Sequence, residues 1–340
     1  MTTMVSRPHY NNLVRWAKDR PEVVVLSADL TASCEADGFR DAYPDRFFSF
    51  GLGEQNMMSF AGGLAREGFF PFVHTFAVFI CRRPFDQVAM SLAYPNLPAR
   101  LLGFLPGLTT PGGATHQAID DLALMRVLPN MTVLECGDAT EVESVLDAAQ
   151  AVPGPVYIRM LRGEVPRIFD VGDALRVGRA RLLSEGEELT LISSGICTEE
   201  ALRARGALEQ LGLTLTHVHV SSIKPLDVET IGRATAATSA GVITIENHSV
   251  IGGLGSAVAE VMAEAGAARP LIRLGLQDTF AHGASRSYLL REYGLDAQAV
   301  IGAAEKLLGR SLEADLRALD ACPPHGAQAP QEMEERVEDL

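Results

Sequence analysis

The chain has 340 residues, of which 47% are hydrophobic and 21% are charged, a composition that allows two folded domains and excludes global disorder. Its formal net charge of −14 argues against a nucleic-acid-binding protein, because phosphate contacts require a basic face. No apolar run is long enough to span a bilayer, and the N-terminus lacks a basic segment followed by an apolar core. We therefore expect a cytoplasmic protein that contacts neither nucleic acid nor membrane.

Short apolar runs alternate with helical patterns along the first half of the chain, which indicates an α/β protein with largely parallel sheets. The apolar runs predict strands over residues 22–26, 69–75, 100–104, 132–135 and 156–160. The helical patterns predict helices over residues 82–92, 117–127 and 141–149. Residues 163–188 contain no long periodic run, so we interpret them as a connection between domains.

A second α/β unit follows this connection. Its predicted strands cover residues 189–193, 213–219, 241–246 and 271–274, and its predicted helices cover 198–211, 228–237, 255–264 and 297–308. The last residues are polar, acidic and interrupted by proline, and we expect them to be mobile. The predicted division is a first domain at 1–165, a linker at 166–187, a second domain at 188–320 and a tail at 321–340.

Glu54 is the most informative residue of the chain. It lies in the sequence Gly-Leu-Gly-Glu-Gln-Asn-Met, residues 51–57, directly before a helical run of small residues. A carboxylate in apolar surroundings has a raised pKa and can hold a proton at neutral pH, which suits an acid that acts on a cofactor. The alternative is a glutamate at a helix start, stabilised there by the helix dipole.

Three further candidates follow predicted strands. A glycine-rich loop after the strand at 100–104 ends in His116, at the strand end where open α/β sheets bind ligands. The alternative is that His116, as a lone histidine, has only a structural role. Phe76 and Phe79 follow the strand at 69–75, and they either pack in the core or stack on a flat heteroaromatic ligand.

Basic and polar residues near other strand ends are candidates for binding an anion. Arg159 and Arg162 lie at the end of the strand predicted at 156–160. One interpretation is that both are solvated surface residues. The other is that Arg162, which precedes a glycine, holds a phosphate or carboxylate through two N–H groups. Arg7 and Ser33 are candidates of the same kind.

These motifs, in their order along the chain, resemble the C-terminal half of a transketolase. The resemblance runs from Arg7 to about Leu308 and rests on many short motifs at compatible spacing. It implies a first domain with a doubly wound, mostly parallel sheet that binds the thiamine pyrimidine, and then a transketolase C-terminal-like α/β domain. The motifs are residues 27–31, 50–57, 75–79, 85–87, 113–117, 128–130, 157–163, 246–248 and 252–256.

The resemblance also implies roles for individual residues. Glu54 would hydrogen-bond N1′ of the thiamine pyrimidine and so activate the cofactor, which carries the electrons after C–C cleavage of a ketose. His116 would face the substrate hydroxyls or assist proton transfer. The side chains expected around the cofactor are Phe76, Phe79 and Arg82. Those expected at the distal phosphate of the substrate are Arg7, Ser33 and Arg162.

The chain departs from a full transketolase in two places. It lacks the Gly-Asp-Gly motif and downstream Asn that hold the diphosphate and its Mg²⁺, and its five cysteines have no metal-ligand spacing. We therefore expect no metal ligand here, and an α2β2 complex in which a separate N-terminal subunit binds Mg²⁺ and most of the shared thiamine diphosphate. Phe104 and Pro111–Gly112 lie nearest to the positions of a donor-sugar histidine and acidic residue, so the sugar-phosphate-like substrate is expected to differ from pentose phosphates.

The predicted activity is transfer of a two-carbon ketol unit from a ketose to an aldose, by a chain that is active only with its partner. Three alternatives stay open. They are the β subunit of the first component of a 2-oxoacid dehydrogenase, a synthase of the deoxyxylulose phosphate type, and a non-catalytic structural subunit with the same fold.

Overall fold

The structure is a computed structural model that describes residues 3–312, so the predicted tail and the end of the second predicted domain lie outside the described residues. Its strands are β1 (Thr3–Ser6), β2 (Val23–Ser27), β3 (Phe47–Ser49), β4 (Phe70–Phe76), β5 (Arg100–Phe104), β6 (Thr132–Glu135), β7 (Val156–Met160), β8 (Glu164–Arg167), β9 (Arg181–Ser184), β10 (Leu189–Ser193), β11 (Leu215–His219), β12 (Ser222–Lys224), β13 (Gly241–Ser249) and β14 (Leu271–Leu276).

The α-helices are α1 (Pro8–Trp16), α2 (Asp37–Ala42), α3 (Glu54–Arg66), α4 (Ala77–Cys81), α5 (Phe85–Gln87), α6 (Asp121–Val127), α7 (Ala139–Gln150), α8 (Cys197–Gln210), α9 (Val228–Ala237), α10 (Leu254–Glu264), α11 (Arg286–Glu292) and α12 (Ala297–Leu308). A π-helical segment, Val88–Ala93, continues α5. Within the described residues, no helix combines the length and the apolar character that crossing a membrane requires.

The first sheet has the strand order β12-β6-β7-β5-β4-β2-β3. Its strands from the first half of the chain all run parallel to one another. Every residue of β2, β5, β6 and β7 is buried, which is the pattern of a parallel sheet covered on both faces. The short strand β12 comes from the second half of the chain and pairs antiparallel with β6.

The second sheet has the strand order β14-β13-β10-β11-β9. Four of its strands are parallel, and β9 runs antiparallel to β11. A separate two-stranded ribbon joins β1 to β8. Two mostly parallel sheets with intervening helices confirm the predicted α/β fold class.

Several elements have the bounds that the sequence predicts, among them β5, β6, β7, β10, α9 and α12. The single helix predicted over residues 82–92 is wrong, because α4 ends at Cys81 and the chain turns at Pro84 before α5 begins. Proline has no backbone N–H and disfavours helical geometry in the residue before it, which accounts for this break. The helix predicted from residue 117 begins only at Asp121, and the connection contains β8 and β9.

Arg159, for which a solvated surface position was one interpretation, is fully buried between the two sheets. Its guanidinium donates to Asp121 at 2.7 Å, to Glu135 at 2.8 Å and to the backbone carbonyl of Asn247 at 3.0 Å. Burial by itself would raise the pKa of Asp121, but the Arg159 charge lowers it below its usual value. A buried, fully paired cation therefore links the two halves of the chain.

Candidate active site

Glu54 lies where β3 passes into α3, at the carboxyl edge of the first sheet. Gly51, with a φ of +56°, makes the turn that a residue with a side chain would adopt only with strain. Glu54 is the first residue of α3, and its side chain is only 3% exposed. Glu54 therefore has both the position at a helix start, which the helix-dipole interpretation requires, and the burial that is expected of an acid acting on a cofactor.

Arg83 contacts Glu54, and the sequence motifs do not single out this residue. Its Nη1 atom donates to Oε1 of Glu54 at 2.6 Å, and its guanidinium carbon lies 4.0 Å from the centre of the Phe79 ring. The surroundings of the buried carboxylate thus include a cation as well as apolar groups. Nothing in the sequence distinguishes Arg83 from the neighbouring Arg82, so no sequence signal could have found it.

Phe76, Phe79 and His116 form one group of rings beside this pair. The two phenylalanine rings stack with centroids 5.9 Å apart. The imidazole of His116 meets Phe79 edge-on at 5.4 Å and Phe76 at 6.4 Å. The hydroxyl of Thr115 lies 2.8 Å from Nδ1 of His116 and fixes the orientation of the ring. The structure therefore brings together four of the predicted site residues, Glu54, Phe76, Phe79 and His116.

Arg82 forms an ion pair with Asp120. Its Nε atom lies 3.0 Å from both carboxylate oxygens of Asp120, and its Nη2 atom lies 2.9 Å from one of them. The pair joins the end of α4 to the segment before α6, which follows the His116 loop. In this structure Arg82 holds two loops of the site together.

Arg7, Ser33 and Arg162 also lie close together, in a second cluster. The guanidinium of Arg162 donates to the backbone carbonyl of Ser33 at 2.7 Å. Arg7 pairs with Asp37 at 2.7 Å, and its backbone N–H donates to the carbonyl of Gly163 at 2.7 Å. The cluster joins the loops that follow β2 and β7, strands that β4 and β5 separate in the sheet.

Glu35 organises the backbone of this second cluster. Its carboxylate accepts hydrogen bonds from the N–H of Gly163 at 2.7 Å and from the N–H of Tyr10 at 3.2 Å. Burial raises the pKa of Glu35, and these two hydrogen bonds act in the opposite direction. A buried acid thus ties the backbone beside Arg162 to the start of α1, which follows Arg7.

The second domain contributes to the site indirectly, through the loop that carries His116. Asn247 hydrogen-bonds the backbone of this loop at Pro106 and Leu108. Farther along, the amide of Gln117 donates to the backbone carbonyl of His282 at 3.2 Å. Among residues 3–312, no group of three or more His, Cys, Asp and Glu side chains is placed to hold a metal ion.

Residues 8–167 match the family model of the transketolase pyrimidine binding domain, and residues 178–300 match that of the transketolase C-terminal domain. Fold and site thus define a protein of the thiamine-diphosphate-dependent class. The chain belongs to the transketolase family, in which it corresponds to the C-terminal half that a split transketolase carries on a separate subunit.

Individual relatives agree with this assignment. The chain is 40% identical over 297 residues to a putative uncharacterized transketolase family protein of Sinorhizobium fredii, and these residues make up 86% of each protein. It is 38% identical to a 6-deoxy-6-sulfo-D-fructose transketolase subunit of Clostridium sp., over 88% of this chain and 92% of that subunit. It is 35% identical to the 1-deoxy-D-xylulose-5-phosphate synthase of Thermomicrobium roseum, over 85% of this chain but 46% of the synthase.

A solved structure gives the same result. The chain superposes with a TM-score of 0.80 and 41% identity on a structure described as a split gene transketolase, inactive beta4 tetramer. The similarity covers 89% of this chain and 97% of that one. These values show that both domains, and their arrangement along the chain, are those of a split-type subunit.

Proposed function

We propose that this chain is the pyrimidine-binding subunit of a heteromeric transketolase that transfers a two-carbon ketol unit from a ketose to an aldose. The observation that carries the proposal is the position of Glu54. Its carboxylate is buried at the start of α3, and the Arg83 side chain contacts both this carboxylate and the face of Phe79. A buried acid beside an aromatic face is what an aminopyrimidine needs, because the ring stacks and its edge nitrogen bonds the acid.

The residues present fit such a ring. The guanidinium of Arg83 is itself a flat group that lies on Phe79 and donates to Glu54, so a planar nitrogen-containing group has room there. When bound, thiamine diphosphate supplies the carbon nucleophile and the electron sink for C–C cleavage. In the proposal, Glu54 holds a proton at N1′ of the ring, while Phe76 and Phe79 form its apolar wall and Arg82 anchors the wall through Asp120.

His116 is proposed to act on the substrate. Its half-buried imidazole borders Phe79, and the Thr115 hydroxyl orients it. From this place it can hydrogen-bond a sugar hydroxyl or move a proton at the reacting carbon. Arg7, Arg162 and the backbone of Ser33 are proposed to meet the distal phosphate, or another anionic end, of the substrate.

A partner subunit is proposed to complete the site. The described residues offer no metal-binding group, so the diphosphate and its Mg²⁺ are assigned to a separate N-terminal subunit in an α2β2 complex. The related subunit from Clostridium carries the name of a sulfofructose transketolase, which supports a donor outside the pentose phosphates. The domain limits at 1–165 and 188–320 and the cytoplasmic location stay predictions.

Glu54→Gln in the assembled complex tests the proposal. The amide has the size of the acid but lacks its proton exchange, so we expect normal assembly and a fall in kcat of about 10²- to 10⁴-fold. Glu67→Gln, at the exposed end of the same helix, is the matched control and should leave kcat unchanged. Normal turnover by Glu54→Gln across a panel of ketose donors would overturn the catalytic assignment.

A further inference from the structure

Arg83 contacts the two groups that the pyrimidine ring is proposed to contact, the Glu54 carboxylate and the Phe79 ring. Its Nη1 atom donates to Glu54 at 2.6 Å, and its guanidinium carbon lies over the Phe79 ring, 4.0 Å from the ring centroid. Glu54 is buried, whereas the side chain of Arg83 is 47% exposed. One planar cation therefore occupies the acid and the aromatic face at the same time, with its outer side toward solvent.

A guanidinium and an aminopyrimidine have similar requirements. Both are flat, both present nitrogen-bound hydrogens at the edge, and both stack on aromatic rings. The face of Phe79 at stacking distance and the Oε1 atom of Glu54 can serve only one such group. A ring that binds there must displace the guanidinium from both contacts.

We propose that Arg83 competes with the pyrimidine ring for Glu54 and Phe79, and must swing into solvent before the ring can bind. The inference rests on the proposed function, since it assumes that the pyrimidine binds at Glu54. Arg83 is thus a positioning residue: it holds the acid and the ring face in place until the cofactor replaces it.

The local structure allows the side chain to move without the backbone. The side-chain amide of Gln55 donates to the backbone carbonyl of Arg83 at 3.2 Å. The next residue is Pro84, whose ring restricts the backbone before α5. Arg82 is held separately by Asp120. A half-exposed arginine on an anchored backbone has rotamers that reach solvent, so its release requires no rearrangement of α4 or α5.

Thiamine binding to the full-length chain, measured by calorimetry, tests the competition. If Arg83 covers the pocket about nine-tenths of the time, Arg83→Ala should bind thiamine about tenfold more tightly than the wild type. Arg40→Ala removes an arginine with a side chain 48% exposed and an ion pair to Asp41, and should bind like the wild type. Glu54→Gln combined with Arg83→Ala should lose the gain.

A second measurement excludes a purely structural role. Methylguanidine should compete with thiamine on Arg83→Ala and not on Arg40→Ala, because only the first has lost its own guanidinium from the pocket. Arg83→Lys, whose ammonium cannot stack flat, covers the case in which the alanine variant does not fold, and should show an intermediate affinity.

The proposed competition would be overturned if the folded Arg83 variants bound thiamine no more tightly than the wild type. The same holds if none of them bound thiamine. That result would leave the proposed function standing, because Glu54→Gln in the assembled complex tests it independently of the isolated chain.

Discussion

The side-chain oxygen of Asn247 accepts a hydrogen bond of 2.8 Å from the backbone N–H of Leu108 and joins the second domain to the loop that leads to His116. The amide of Asn247 also donates to the carbonyl of Pro106 at 3.0 Å. Gly107 has a φ of +55°, and a Cβ atom there would lie 2.3 Å from the Asn247 side chain. One asparagine thus bonds the backbone on both sides of the turn at Gly107.

Asn247→Ala should destabilise the chain, because it leaves the buried N–H of Leu108 without its partner and removes one of the hydrogen bonds to the Pro106 carbonyl. The expected loss of unfolding free energy is about 1–3 kcal/mol, measured by urea unfolding. Asn11→Ala, at an exposed position in α1, is the control and should change stability by less than about 0.5 kcal/mol. Equal effects of the two substitutions would show that the turn does not depend on Asn247.

Arg159→Met should be more damaging, since it leaves Asp121 and Glu135 as buried carboxylates without their shared cation. Breaking a buried ion pair in this way costs about 3–5 kcal/mol, so the midpoint of urea unfolding should fall markedly. The exposed pair of Arg40 and Asp41 gives the comparison, and its loss should cost less than about 1 kcal/mol. A similar small loss for Arg159→Met would mean that the network contributes no net stability.

His9 and His74 should contribute a loss of stability in mild acid. Burial lowers the pKa of His217 to about 3 and adds to this loss, whereas burial raises the pKa of Glu246 to about 7 and opposes it. The Nε2 atoms of His9 and His74 lie 3.0 Å apart, and both side chains are fully buried. Burial lowers the pKa of His74 to about 4, and burial together with His74 lowers the pKa of His9. At these two positions the unfolded chain therefore binds more protons than the folded chain between pH 4 and the ordinary histidine pKa of about 6.5.

The sign follows from this difference. The stability that the neutral histidines confer is complete above about pH 6.5 and is lost as the pH falls, with a slope of up to about 1.4 kcal/mol per pH unit for each histidine. Urea unfolding as a function of pH measures the slope. His74→Gln should flatten it and His282→Gln, at an exposed position, should not. An unchanged slope in His74→Gln would assign the acid sensitivity to other groups.

His116→Ala in the assembled complex should lower kcat by about 10²- to 10⁴-fold while leaving thiamine diphosphate affinity nearly unchanged. The reason is that His116 meets the edge of Phe79 and not Glu54, so the substrate loses a partner and the pyrimidine does not. Thr115→Val removes only the hydroxyl at Nδ1 and should have a smaller effect in the same assay. Loss of cofactor affinity in His116→Ala would place this histidine at the cofactor instead.

Part of the site could be predicted because Phe76 and His116 follow predicted strands, whereas the strand β3 before Glu54 was not predicted. Phe76 ends β4, and the loops after β3 and β5 lead to Glu54 and His116. The carboxyl ends of parallel strands share one edge, so the predicted strands are enough to bring Phe76 and His116 together. Arg83 was beyond such reasoning, since its contact with Glu54 depends on how the chain turns at Pro84.

Contacts between the two halves of the chain could not be predicted either. A surface position was one interpretation of Arg159 from its place near the end of a strand, but its guanidinium is buried and reaches the Asn247 carbonyl of the second domain. The strand β12 has three residues and no periodic pattern, and its strand geometry comes from pairing with β6. Short elements of this kind are determined by distant partners rather than by local propensity.

The pairing of β12 with β6 has a consequence for any shortened form of the protein. A chain cut within the linker would expose the outer N–H and C=O groups of β6 as a free sheet edge. Such an edge readily pairs with another chain and starts aggregation. The first domain produced by itself is therefore a poor substitute for the whole subunit, and proteolysis between the two halves should precipitate the protein rather than release two working parts.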